Sequence, residues 1–178
     1  QTNYALQNIS REQFIEEVTD GLLAPPSYFF TDVMMNKNGY EDIDDVIERN
    51  LNPMSYSEVI EAQTKGVCLL DTRQPSDFAK GFIKGSINIG LKGQYAPWVG
   101  ALIDPESTLI LITDKDSEKE AVTRLARVGY EKVQGFLDGG VDAAEDTLCK
   151  IENKSAADVT QLIDEDKSTI LDVRKPGE

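Results

Sequence analysis

Apolar residues recur along this chain in two periods, and the two periods take turns. Ser10-Arg11-Glu12-Gln13 is a capping-box pattern. Phe14 and Val18 follow four apart, on one face of a short helix that Gly21 ends. Pro25-Pro26 breaks the chain. Tyr28-Phe29-Phe30 and Val33-Met34-Met35 then form an apolar stretch without strand alternation, which needs a partner surface to cover it. Residues 1–50 are too few and too irregular to fold alone, and Pro53 ends this region.

Beyond Pro53, strand and helix signals alternate. Ser55, with Glu58 three residues on, caps a helix that Gly66 closes. Val67-Cys68-Leu69-Leu70 is a short apolar run, read as a buried parallel strand. Pro75 suits the first turn of a brief helix ended by Gly81. Ile87-Asn88-Ile89 reads as a strand, and Tyr95 to Leu102 as a helix around Trp98. Thr108 to Ile112 is the clearest buried strand. Ser117 with Glu120 caps a helix carrying Val122, Leu125, Ala126 and Val128, and Gly129 follows its end. Val133 to Leu137 is a final strand, after which Gly139-Gly140 turns into a last helix through Ala143, Ala144 and Leu148. Strands separated by helices of this length predict an α/β fold: a parallel sheet with helices on both faces, preceded by an irregular α-rich tail. Ligands of such sheets gather at the carboxyl ends of the strands.

A length of 178 residues allows one or two domains, and 40% hydrophobic with 28% charged content is that of a soluble globular chain. No apolar run reaches the roughly 18 residues of a membrane span. The net charge of −14, with 18 basic against 32 acidic residues, offers no basic stripe and argues against nucleic acid. There is no His, which removes imidazole acid/base chemistry, Ser-His or Cys-His catalysis and His-ligated metal from this segment. Two Cys, at 68 and 149, make no disulfide framework, and a cytoplasmic location is the simplest expectation.

One motif occurs twice. Leu70-Asp71-Thr72-Arg73-Gln74-Pro75 is echoed by Leu171-Asp172-Val173-Arg174-Lys175-Pro176, a domain length further on. The lead-ins Ser55-Tyr56-Ser57-Glu58-Val59 and Ser155-Ala156-Ala157-Asp158-Val159 also correspond. The second copy begins near Asn153, with a helix expected over 155–165 and a strand over 168–172. The chain therefore reads as an excerpt from a longer, multi-domain protein: one whole unit and the start of another.

Residues 69–90 carry a resemblance. Leu70-Asp71-x-Arg73, Asp77-Phe78, Gly81-Phe82-Ile83, Gly85-Ser86 and Asn88-Ile89, with Gly129-Tyr130 and Leu137-Asp138-Gly139-Gly140 later, resemble the rhodanese domain. Phe82 stands where His is usual and Gly90 where Pro is usual. Gly93 to Gly100 is similar to the insert of rhodanese domains fused behind metallo-β-lactamase-fold enzymes, and residues 1–53 resemble the C-terminal tail of such an enzyme. The resemblance implies three parts: that tail over 1–53, a rhodanese-like domain over 54–150, and the start of a second over 151–178. It implies a parent in sulfur metabolism that is either persulfide dioxygenase-like or a related metal-dependent hydrolase, with its iron or zinc in the upstream domain. The expected partners are that metallo-hydrolase domain and the downstream rhodanese domain of the same chain; a homo-oligomer is left open.

An active relative carries a Cys in the loop after its central strand, where loop N–H groups and a helix N-terminus favour thiolate and persulfide. Here that loop is Asp114-Lys115-Asp116-Ser117-Glu118-Lys119, with Asp114 at the Cys position. The resemblance thus implies a degenerate loop and no catalytic residue in this segment. Asp114 is expected to accept the loop N–H bonds itself, and Lys119 to bridge the neighbouring acids. Asp114, Asp116, Glu118 and Glu120 read either as a hard-cation site or, preferably, as caps complementing the helix dipole. Asp71 and Arg73 either pair to hold the strand-end loops or present a guanidinium to an anion; the structural role is preferred. Cys68 is expected in a buried strand and Cys149 near the end of the last helix, both poor places for a thiolate. Tyr95, Pro97 and Trp98 read as core or as a domain contact. The leading reading is a silent module that joins and positions the upstream metallo-hydrolase and the downstream rhodanese domain; a second places the activity in parent residues outside this segment; a third is a docking or regulatory surface at the Asp114 loop.

Overall fold

Five short strands pair in parallel into one sheet: β1 (Pro53–Met54), β2 (Cys68–Asp71), β3 (Ile87–Asn88), β4 (Leu109–Ile112) and β5 (Val133–Leu137), in the order β1-β5-β4-β2-β3. The computed structural model describes residues 8–21, 28–39, 41–164, 169 and 171. Within them lie eight α-helices: α1 (Arg11–Thr19), α2 (Tyr28–Asn38), α3 (Ile43–Asn50), α4 (Tyr56–Thr64), α5 (Pro75–Lys80), α6 (Tyr95–Leu102), α7 (Glu118–Ala126) and α8 (Ala156–Asp164). Pro25-Pro26, and Asp172 and Arg174 of the second motif copy, lie outside the described residues.

The sheet is buried on both faces because successive side chains of a strand point to opposite sides. Leu109 and Leu111 of β4 join Tyr95 and Val99 of α6 and Val122 and Leu125 of α7. Ile110 and Ile112 join Val59 and Ala62 of α4 on the other face. An uninterrupted Leu-Ile-Leu-Ile run is what such a central parallel strand requires. The expected α/β sandwich is the observed fold.

Three places differ from the sequence expectation. The first fifty residues hold three helices among the described residues. Of these, α3 packs on α7 and buries Val46 and Ile47, so the packed unit begins before residue 54. By contrast, α1 has the expected Ser10–Gln13 capping box but buries no residue. Second, β1 is a two-residue edge strand, too short to show a period. It docks where Gly135 leaves room: a Cβ there would stand 2.2 Å from the Asn52 carbonyl oxygen. Third, the last helix is a 3-10 segment over Gly140–Thr147 with a kink at Ala144. Leu148 and Cys149 lie past it, and Cys149 pairs antiparallel with Phe82.

The two motif lead-ins correspond in structure. Ser55 and Glu58 form a reciprocal capping box on α4. Ahead of α8, the Ser155 N–H donates to Asp158 Oδ2 at 3.0 Å, and the Asp158 N–H donates to Ser155 Oγ at 3.2 Å.

Candidate functional site

β2 carries Asp71 to the carboxyl end of the sheet, where its side chain is fully buried. Arg73 folds back onto it. Arg73 Nε donates to Oδ1 at 3.0 Å and Nη2 to Oδ2 at 2.6 Å, a bidentate fork, while the Arg73 backbone N–H donates to Oδ1 at 3.1 Å. Nη2 also donates to the Gly81 carbonyl at 2.8 Å, which ties the end of α5 to the end of β2. Asn88 Nδ2 donates to the carbonyls of Asp71 and Arg73, both at 3.0 Å. The guanidinium is turned inward and nearly buried, so the pair holds the strand-end loops rather than facing solvent. Such a pair is tolerated because each charge meets the other and further hydrogen-bonding partners.

β4 ends beside β2 and opens the loop of Asp114 to Lys119. Thr113 is buried, and Asp114, Lys115 and Asp116 are exposed; Ser117 and Glu118 are half-buried and Lys119 is exposed. Asp116 adopts a left-handed conformation (φ 66°), an uncommon state that short polar side chains tolerate best. The Ser117 N–H donates to the Asp114 carbonyl at 3.1 Å. This turn leaves Ser117 in a helical conformation, and its side chain caps nothing, unlike the expected Ser117–Glu120 box. A second expectation also gives way: the Asp114 carboxylate accepts no hydrogen bond from the loop, because the exposed side chain leaves the turn instead of folding into it. Lys119 bridges none of the acids; Glu120 instead faces Arg124 at 3.6 Å. Among the described residues, no three acidic or thiol groups converge in a way that would hold a metal ion. The turn after β5 closes over the loop: a Cβ on Gly140 would lie 3.2 Å from the Thr113 carbonyl oxygen.

Neither thiol belongs to this loop. Cys68 pairs with Leu109 at the amino end of the sheet, roughly 10 Å of strand away from the carboxyl ends. Burial pushes its thiol pKa up, as expected for a small residue in a strand. Cys149 is held by backbone bonds to Phe82, with the Cys149 N–H donating at 2.8 Å and the Phe82 N–H returning one at 2.9 Å.

Arg124 is a residue the sequence reading passed over. From α7 it donates to the Leu91 carbonyl and, at 3.1 Å, to the Gly93 carbonyl, and its guanidinium carbon lies 5.3 Å from the centre of the Tyr95 ring. It thereby fixes the loop between β3 and α6. Its sequence signal is that of any basic residue on an amphipathic helix, so only the fold reveals its reach. Tyr95 is core and its hydroxyl pKa is pushed up by burial, whereas Trp98 on the same helix is 55% exposed and is not core.

A cavity of about 770 Å³, open to solvent, lies at the amino ends of β4 and β5, between Arg49, Asn50, Thr108 and Lys132. Two smaller ones adjoin α3 and α4, and none of the three includes a residue of 114–119.

Residues 55–147, just over half of the chain, match the rhodanese-like domain family. No curated protein matches the chain. Among solved structures, the chain is similar to a metallo-beta-lactamase from Staphylococcus aureus, with 22% identity and a TM-score of 0.59 over 76% of this chain and 37% of that one. It therefore spans well under half the length of the staphylococcal protein, and the likeness is one of fold. A Rhodanese_3-like domain from Anabaena is matched over 51% of this chain and 99% of its own, at 19% identity and a TM-score of 0.46. Bacillus anthracis CoADR-RHD is matched over 55% of this chain and 18% of its own, at 20% identity and a TM-score of 0.46. By its matched segment, its strand order and its Asp71–Arg73 corner, the chain belongs to the rhodanese-like domain family.

Proposed function

We propose that this rhodanese-like unit is a catalytically silent module that joins and positions catalytic domains of a sulfur-handling metallo-hydrolase fusion. The observation that carries the reading is Asp114. The loop after the central strand offers a carboxylate, and a carboxylate has no sulfur with which to hold a persulfide. Asp116 and Glu118 add negative charge where an anionic donor such as thiosulfate would approach. The fold signatures survive beside this loss, as a module kept for its shape would require. The fusion is supported by the staphylococcal likeness, which covers 76% of this chain and so reaches beyond residues 55–147.

In a thiosulfate:cyanide sulfur-transfer assay, the purified chain is expected to give no turnover above a Cys68→Ser/Cys149→Ser double variant. Turnover abolished by either single substitution overturns the reading.

The parent's own activity, persulfide oxidation or metal-dependent hydrolysis with sulfur transfer, is assigned to residues outside this segment. Iron or zinc would be held in the upstream domain. The full reading frame tests this: a His-x-His-x-Asp-His run is expected upstream of Gln1, and a Cys as far beyond Asp172 as Asp114 lies beyond Asp71.

A further inference from the structure

The buried clamp at Asp71 does not end at Gly81. Gly81 lies directly under Leu148, whose Cδ1 would be 2.9 Å from a Cβ added to the glycine. The neighbouring Phe82 exchanges two backbone hydrogen bonds with Cys149, and the Ile151 N–H donates to the Ala79 carbonyl at 2.9 Å. Leu148 itself packs on the core cluster under α4. The chain leaving the domain is thus sewn along the loop that Arg73 closes, over residues 148–151. The next anchored residue is Ser155, which caps α8, the first helix of the second motif copy.

We propose that Arg73 is a positioning residue for the outgoing chain: through the Gly81 carbonyl it holds the loop that latches residues 148–151, so the hinge to the following repeat is only Glu152, Asn153 and Lys154. From Ile151 to Ser155 so short a hinge spans at most about 14 Å. The second unit is therefore kept close to the strand-end face of the first, and its effective concentration there is high. The proposal deepens the reading of this module as a domain-positioning element and rests on it.

Trypsin tests it on the chain as it stands. Lys150 and Lys154 both have exposed side chains, but only Lys150 has latched backbone on either side. Mass spectrometry of brief digests is expected to show cleavage after Lys154 at least tenfold faster than after Lys150. Gly81→Ala pushes Leu148 aside without touching the Asp71–Arg73 fork, and is expected to raise cleavage after Lys150 tenfold or more. Arg73→Lys keeps a cation beside Asp71 but gives up the second arm of the fork, and is expected to do the same. In both variants the amides of Ile110 to Ile112 should keep their exchange protection. Equal wild-type cleavage at the two lysines, or no change at Lys150 in Gly81→Ala, overturns the latch; a protected Lys150 in folded Arg73→Lys overturns the role of Arg73. Should Arg73→Lys not fold, the Asp71→Asn/Arg73→Gln double variant, which removes both buried charges together with the guanidinium arm to Gly81, takes its place, and a protected Lys150 there overturns the role of Arg73. The protease map reports the latch alone and sulfur turnover reports silence, so either proposal can fail without the other.

Discussion

The Asp71 corner and the Asp114 loop close neighbouring strands at the same end of the sheet, and they are built by opposite rules. At Asp71, a carboxylate and a guanidinium are both removed from water, and each is met by the other and by backbone groups. At Asp114, the carboxylate stands in solvent and bonds to nothing in its loop. A buried charge constrains its surroundings because leaving it unpaired is costly, whereas an exposed one leaves its surroundings free. The corner records what the fold needs. The loop leaves its first three side chains, Asp114 to Asp116, to solvent.

The contrast is broken or sharpened by four substitutions, taken from the largest expected effect. Asp71→Ala leaves the Arg73 guanidinium buried without its partner, which costs about 3–5 kcal/mol; urea denaturation should show it, and a loss below 1 kcal/mol would mean that the corner is not a stability element. Gly135→Ala supplies a comparison at a buried site without charge. Its Cβ would meet the Asn52 carbonyl oxygen at 2.2 Å, so β1 must move, at about 1–3 kcal/mol. Thermal unfolding with exchange at Met54 checks that the damage is local to that edge.

Ser55→Ala removes the α4 cap and should cost about 1 kcal/mol. It also carries a pH signature. The Ser55 hydroxyl, and then its backbone N–H, hold the Glu58 carboxyl below its ordinary range. A depressed carboxylate contributes stability above its unfolded pKa that is lost as pH falls through the folded value. The difference between wild type and variant should therefore be full at pH 7 and shrink below about pH 4.3, the ordinary Glu value. NMR titration of Glu58 should show its pKa rise in the variant. An unchanged titration would detach the cap from the charge.

The smallest effect is expected at Asp114→Ala, within about 0.5 kcal/mol of wild type, because an exposed side chain without partners contributes little. A loss comparable to that of Asp71→Ala would erase the distinction between the two strand ends.

Much of this architecture was legible before any coordinates. The β4 run declares a strand buried on both faces, Pro75 and Gly81 bracket α5, and Ser55 with Glu58 announces α4. These signals are local: a cap, a turn or a period is complete within a few residues. The Asp-x-Arg spacing likewise pointed to the corner, since Arg73 is only two residues from its partner. What escaped was assembled from afar. β1 owes its existence to a glycine more than eighty residues away, α3 to a surface supplied by α7, and Arg124 to carbonyls across the fold at Leu91 and Gly93.

The amino-acid sequence by itself determined the family, the alternation of strands and helices, and the presence of oxygen rather than sulfur after the central strand, because composition and short-range pattern are carried by the residues themselves. Only the tertiary structure decided that the Asp114 carboxylate turns outward, that the Arg73 fork extends to Gly81, and that residues 148–151 are sewn against that loop. Those outcomes depend on which backbone groups folding leaves unpaired and which distant segments arrive to satisfy them.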